Sequence, residues 1–142
     1  DTIFLWGHSA GSSLVGSYLG HPEFHVVEGS GISGAVLASG SGYEITEANA
    51  YFADESKLDE MASLPGLLRS DVPLFVMRAE LDPPRIARSS DRLNEALCNA
   101  GKCPEVFLHN PSHNHMTQVY TINTTETDIS ERILPFLKSH VD

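Results

Sequence analysis

The chain opens on Ile3-Phe4-Leu5-Trp6, a continuous apolar run whose β-branched and aromatic residues suit a buried strand. The period then changes: Leu14, Val15, Tyr18 and Leu19 recur at helical spacing until Gly20 and Pro22 supply stop signals. Phe24-His25-Val26-Val27 leads into a Gly/Ser-rich stretch, and Ala35-Val36-Leu37-Ala38 reads as a fully buried strand ending at Ser39-Gly40-Ser41-Gly42. From Tyr43 to Arg69 the pattern is irregular and acidic. It contains Tyr51, Phe52 and a helical candidate from Lys57 to Ala62, and it predicts an excursion outside the sheet. Pro73 introduces the strand Leu74-Phe75-Val76-Met77. Asp82-Pro83-Pro84 then starts a helix carrying Ile86, Leu93, Leu97 and Ala100, closed by Gly101. Val106-Phe107-Leu108 is the next strand, followed by a histidine-rich loop from Asn110 to Met116. A last helix has Ile129, Ile133, Leu134 and Leu137 on one face and a bend at Pro135. Strands alternating with helices predict an α/β fold with a parallel sheet.

A chain of 142 residues, 41% hydrophobic, has the size and composition of one domain with one core. Its net charge of −10 argues against nucleic acid or an anionic membrane surface, because both require clustered cations. No apolar run approaches a bilayer-spanning length. No signal-peptide pattern precedes the first strand, and the chain starts too close to that strand for the compartment to be read. Cys98 and Cys103 flank a helix-ending turn that brings them near one another, but without an oxidising compartment in view two reduced thiols are the expectation. Asn123-Thr124-Thr125 is a glycosylation sequon that matters only on a eukaryotic secretory route.

Chemistry enters at Gly7-His8-Ser9-Ala10-Gly11, a GxSxG segment between the first strand and the first helix. That is the context of a nucleophile elbow, where a sharp turn lifts the serine hydroxyl and calls for small residues on both sides. Chance also produces this pattern in a Gly- and Ser-rich chain, leaving a turn with an idle serine. A phosphate-cradling loop fits worse, since no Lys follows the turn. Gly29, Gly31 and Gly34 form a GxGxxG, but the apolar run after Gly34 is too short for a dinucleotide-binding helix and is cut off by more glycine. No cofactor is expected.

Serine needs a base to accept its proton and a carboxylate to orient that base. Asp82 follows an apolar strand at the carboxyl edge of the sheet, where catalytic groups of such sheets gather. Taken by itself, Asp before Pro favours a helix N-cap. Glu80 is the rival carboxylate, closer to the strand end. His113 and His115 lie after the next strand and, two residues apart in an extended loop, should point in opposite directions, so that at most one faces Ser9. His109 belongs to the strand end, and His8, His21, His25 and His140 have ordinary surface or loop explanations. A zinc set of His109, His113 and His115 lacks an HExxH pattern or a completing carboxylate or cysteine, so no metal is expected. The chain order Ser, Asp, His is that of α/β-hydrolases, unlike the chymotrypsin or subtilisin orders.

These segments make the chain resemble the C-terminal half of an α/β-hydrolase, most similar to carboxylesterases and related lipases. The resemblance covers nearly the whole chain. It rests on the GxSxG segment, on Val76-Met77-Arg78-Ala79-Glu80-Leu81-Asp82-Pro83 and on Ser112-His113-Asn114-His115-Met116-Thr117. It implies that residues 1–142 are part of one such domain, a mostly parallel sheet flanked by helices and truncated at its N-terminus, with residues 43–69 as a lid or pocket excursion. In related esterases a bulky apolar residue and then a small hydroxyl residue commonly follow the catalytic histidine. His115-Met116-Thr117 fits that pattern, with His113 in reserve. The implied activity is hydrolysis of a small-molecule ester through an acyl-enzyme by Ser9, His115 and Asp82, with the Ala10 N–H in the oxyanion hole. The family's earlier strands and the loop donating a second oxyanion N–H have no counterpart here. A peptidase or amidase of the same fold, and a non-catalytic module lacking that loop, are the alternatives. Oligomeric state is not readable.

Overall fold

A computed structural model describes residues 2–26, 29–48, 50 and 53–141. Val27, Tyr51 and Phe52 lie outside the described residues. The first apolar run forms β1 (Phe4–His8), so Gly7 and His8 of the motif are strand residues, and the chain turns at once into α1 (Ala10–Gly20). β2 (Gly34–Ala38) follows, then short helices α2 (Leu58–Met61) and α3 (Leu64–Leu67), β3 (Leu74–Leu81), α4 (Pro84–Asn99), β4 (Val106–Asn114), α5 (Thr117–Tyr120) and α6 (Asp128–Ser139). The sheet order is β1-β2-β3-β4 and every pairing is parallel, as the alternation of elements predicts.

Period-two alternation on the central strands separates two cores. Ala35, Leu37, Leu74 and Val76 pack with Leu19, Tyr43, Leu67, Leu93 and Leu97, while Val36, Ala38, Phe75 and Met77 pack with Ile129, Ile133 and Phe136. With helices on both faces, β2 is buried at all five positions, which explains its unbroken apolar run. β1 forms one edge of the sheet, leaving Ile3 and Trp6 exposed beside it.

Several expected boundaries shift, for identifiable reasons. β3 continues past Met77 to Leu81, and β4 takes in most of the expected histidine-rich loop, because the two strands go on pairing through Arg78↔His109 and Ala79↔Asn110. The register then shifts and resumes at Leu81↔Asn114, with Ser112 at φ 63. On α6 the buried apolar residues are Ile129, Ile133 and Phe136. Leu134, expected inside, is exposed. On α4, Ser90 joins Leu93 and Leu97 as buried, whereas Ala100 is exposed.

The α4-ending turn at Gly101, φ 73, brings the Cys98 and Cys103 Cα atoms to 4.0 Å, and the thiols are bridged rather than reduced. Gly29 and Gly31 sit in a turn and Gly34 starts a strand, so no helix opens after the GxGxxG. Among the described residues, the segment from 43 to 69 contains no strand. It is nonetheless anchored: Tyr43, Ile45 and Leu67 are buried, and α3 approaches α1 so closely that a Cβ on Gly66 would lie 1.6 Å from the Gly20 carbonyl oxygen.

Candidate active site

β1 delivers the chain to Ser9 at φ 56 and ψ −120, a conformation that costs a residue with a side chain about 1–3 kcal/mol. The Ser9 N–H donates to the Ala38 carbonyl at 3.0 Å, so the neighbouring strand holds the turn. A Cβ on Gly7 would lie 2.3 Å from the Gly11 carbonyl oxygen, whereas a Cβ on Gly11 would meet nothing within 4 Å. Crowding therefore demands glycine only before the serine, not on both sides. Ala10 and Gly11 open α1, where the first N–H groups have no intrahelical partner and the helix presents its positive end.

The site's second component is Asp82, whose side chain is wholly buried. Its Oδ2 accepts from the Ala79 N–H at 2.8 Å and the Ser39 hydroxyl at 2.6 Å, and its Oδ1 accepts from His115 Nδ1 at 2.7 Å. These donors offset the cost of burying the carboxyl oxygens. The N-cap expectation fails: α4 begins at Pro84 with Pro83 as its cap residue and no capping side chain. Glu80, the rival, instead accepts from the Ser112 N–H at 2.7 Å and supports the irregular end of β4.

The two candidate histidines have different surroundings. With Nδ1–H donating to Asp82, a neutral His115 keeps Nε2 as a bare acceptor, the nitrogen a general base needs. His113 is buried in β4 with Nδ1 3.3 Å from Thr117 Oγ1 and Nε2 3.2 Å from Asp128 Oδ2, so both ring nitrogens are engaged. His109 is exposed on β4. Among the described residues the zinc trio does not assemble. The side chains with ligand atoms within 4.8 Å of one another are His113, Glu126 and Asp128.

Four further polar residues belong to this edge, and no motif or spacing marks three of them in the sequence. Gln118, buried on α5, donates from Nε2 to Ser39 Oγ and, at 3.4 Å, to the His115 carbonyl, while its Oε1 accepts from Asn110 Nδ2 at 3.3 Å. The Ser39 hydroxyl in turn donates a hydrogen bond to Asp82, so Ser39, Gln118 and Asn110 form one buried network with Asp82 beneath His115. His8, within the motif but expected to have an ordinary surface or loop explanation, donates from Nε2 to the same carbonyl at 2.7 Å. Burial lowers the His8 pKa below its usual value. Beneath the elbow, Ser12 and the Tyr43 hydroxyl share a buried 2.7 Å hydrogen bond, and burial pushes the Tyr43 phenol above its ordinary range. A cleft of about 610 Å³ lies between the excursion and α4, lined by Tyr43, Ile45, Leu64, Arg92 and Ala96, and none of Ser9, Asp82 and His115 borders it.

No protein-family model matches the sequence, and no curated protein matches it. Solved structures do match. Dipeptidyl peptidase 4 of Porphyromonas gingivalis superposes with a TM-score of 0.72 at 15% identity, over 98% of this chain and 20% of its own. Acylaminoacyl peptidase of Pyrococcus horikoshii gives 0.71 at 13%, over 98% and 24%. A thermophilic esterase of Thermogutta terrifontis gives 0.69 at 18%, over 96% and 55%. The chain thus spans between a fifth and about half the length of these three proteins. They are α/β-hydrolase members, and with its parallel sheet, serine turn and flanking helices the chain has the α/β-hydrolase fold.

Proposed function

We propose that the chain carries the nucleophile, base and acid of a serine hydrolase that cleaves small carboxylic esters through an acyl-enzyme. The observation that supports this most is the 2.7 Å His115–Asp82 contact, made over a fully buried carboxyl group at the sheet edge that also holds the strained Ser9 turn. Ser9 Oγ attacks the ester carbonyl while its proton passes to His115 Nε2, and Asp82 stabilises the resulting imidazolium. The tetrahedral oxyanion is received by the Ala10 N–H. Collapse expels the alcohol with the proton from His115. Water, deprotonated by the same nitrogen, then releases the acid and regenerates Ser9. A second oxyanion donor would add about 2.7–4 kcal/mol of transition-state stabilisation.

A fluorophosphonate probe tests this reading directly. It should attach to Ser9 and to nothing in Ser9→Ala, and turnover of a short-chain aryl ester should vanish with it. Equal labelling of Ser9→Ala overturns the proposal. Amide cleavage would use the same three residues, so ester and amide turnover on one acyl group are to be compared. Faster amide turnover would favour a peptidase or amidase.

A further inference from the structure

β1 and β4 are the outer strands of the sheet, three strand spacings or about 14 Å apart. His8 nevertheless ends β1, His115 follows β4, and their ring centroids are 4.6 Å apart. The segment after β4 therefore folds back across the carboxyl ends of β3 and β2, and something must hold it there. Two donors converge on the His115 carbonyl: His8 Nε2 at 2.7 Å and Gln118 Nε2 at 3.4 Å. Gln118 is three residues from His115 and anchors the segment to β2 through Ser39. Of these two donors, His8 is the one that reaches β1 itself, across 107 residues of chain.

Because the acceptor is a carbonyl, His8 must carry its hydrogen on Nε2. His8 also immediately precedes Ser9. One hydrogen bond thus links the backbone of the residue with the Asp82-oriented ring to the residue that enters the serine turn. We propose that His8 is a positioning residue that sets the separation of Ser9 from the His115 ring by gripping the His115 carbonyl. This rests on the reading of Ser9 and His115 as nucleophile and base. The effect should be large for so small a contact, since misplacement by about 1 Å can cost about 100-fold in rate.

The test uses the full chain with His8→Phe, which keeps a ring but has no donor, and His8→Gln, whose amide restores one. His8→Phe should lower kcat and the fluorophosphonate labelling rate of Ser9 by roughly 10- to 100-fold with little change in KM, and His8→Gln should recover to within about threefold. In nitrogen-resolved NMR of the imidazoles, the Nδ1–H signal of His115 should exchange faster in His8→Phe and return towards the wild-type rate in His8→Gln. Wild-type kcat and an unaltered His115 signal in His8→Phe overturn the proposal, as does a His8→Gln variant impaired as badly as His8→Phe. If the phenylalanine is not tolerated, His8→Asn takes its place, because its shorter amide falls short of the carbonyl. Should wild-type protein resist the probe, the proposed hydrolase activity fails on that result alone. The His115 signals of the variants still decide whether His8 positions the ring.

Discussion

His113 within β4 and His115 just past its end stand two residues apart, yet their rings are held by partners of very different sequence range. The His113 ring is held by its own neighbourhood: Thr117, four residues on, and Asp128, fifteen residues on at the start of α6. The His115 ring instead meets residues from far away, Asp82 across 33 residues at Nδ1 and the ring of His8 across 107. On the His113 side, a β-strand, a short turn of helix and α6 satisfy one another, and both imidazole nitrogens are used up. On the His115 side, His8 at the end of β1, Ser39 after β2 and Asp82 after β3 meet the segment that follows β4, and among the described residues one imidazole nitrogen is left over. Local partners make a histidine part of the fold, whereas long-range partners can orient it and leave a lone pair for chemistry.

The largest effect that should divide the two sides is kinetic. His115→Ala should lower acyl transfer to an aryl ester by on the order of 10⁴- to 10⁶-fold, while His113→Ala should change it by less than about tenfold. Comparable losses in both variants, measured by single-turnover acylation, would erase the distinction. Stability should divide next. Asp82→Asn leaves several buried donors with a poorer acceptor and should cost about 2–3 kcal/mol in urea unfolding. Asp128→Asn breaks a pair whose carboxylate is largely exposed, and should cost no more than about 1 kcal/mol. Equal midpoints for the two asparagine variants would mean that the buried network contributes little.

The smallest effect concerns pH, and its sign differs between the sides. Burial lowers the folded-state pKa of His8, with the neighbouring His115 acting in the same direction and the His115 carbonyl and Asp82 opposing. Just below 6.5 the unfolded chain therefore binds more protons there than the folded one, so the His8 contribution is present above that pH and is lost as pH falls through the lowered value. His140, at the end of α6, has its pKa raised by the Phe136 carbonyl and by Glu105. Its contribution is complete below 6.5 and is lost as pH rises through the raised value. Unfolding midpoints from pH 5 to 8 should show His8→Gln flattening the acid side of the profile and His140→Gln the neutral side. Parallel curves for both variants would show that neither titration is linked to folding.

How much of this was readable in advance depended on the range of the interaction. Ala35 to Ala38 announced a buried strand because helices cover both faces of β2, and the spacing of Leu93 and Leu97 announced α4 because that helix packs by one stripe. The far end of β4 looked like a loop because His109, Pro111 and Ser112 are exposed, so no apolar alternation marks the continued pairing with β3. Asp82 looked like a cap because its true partners, Ser39 and His115, are 43 and 33 residues away. Gln118 carried no pattern at all, since a buried amide is recognisable only once its three partners surround it.

The sequence by itself determined the alternation of strands and helices, the turn at Ser9 and the order of the polar loops, because periodicity and turn chemistry act within a few residues. Only the tertiary structure decided that His115 rather than His113 meets Asp82 and that His8 reaches across the sheet. Each of those depends on where the chain lies after parallel pairing has set the strand ends side by side, a geometry that no local window contains.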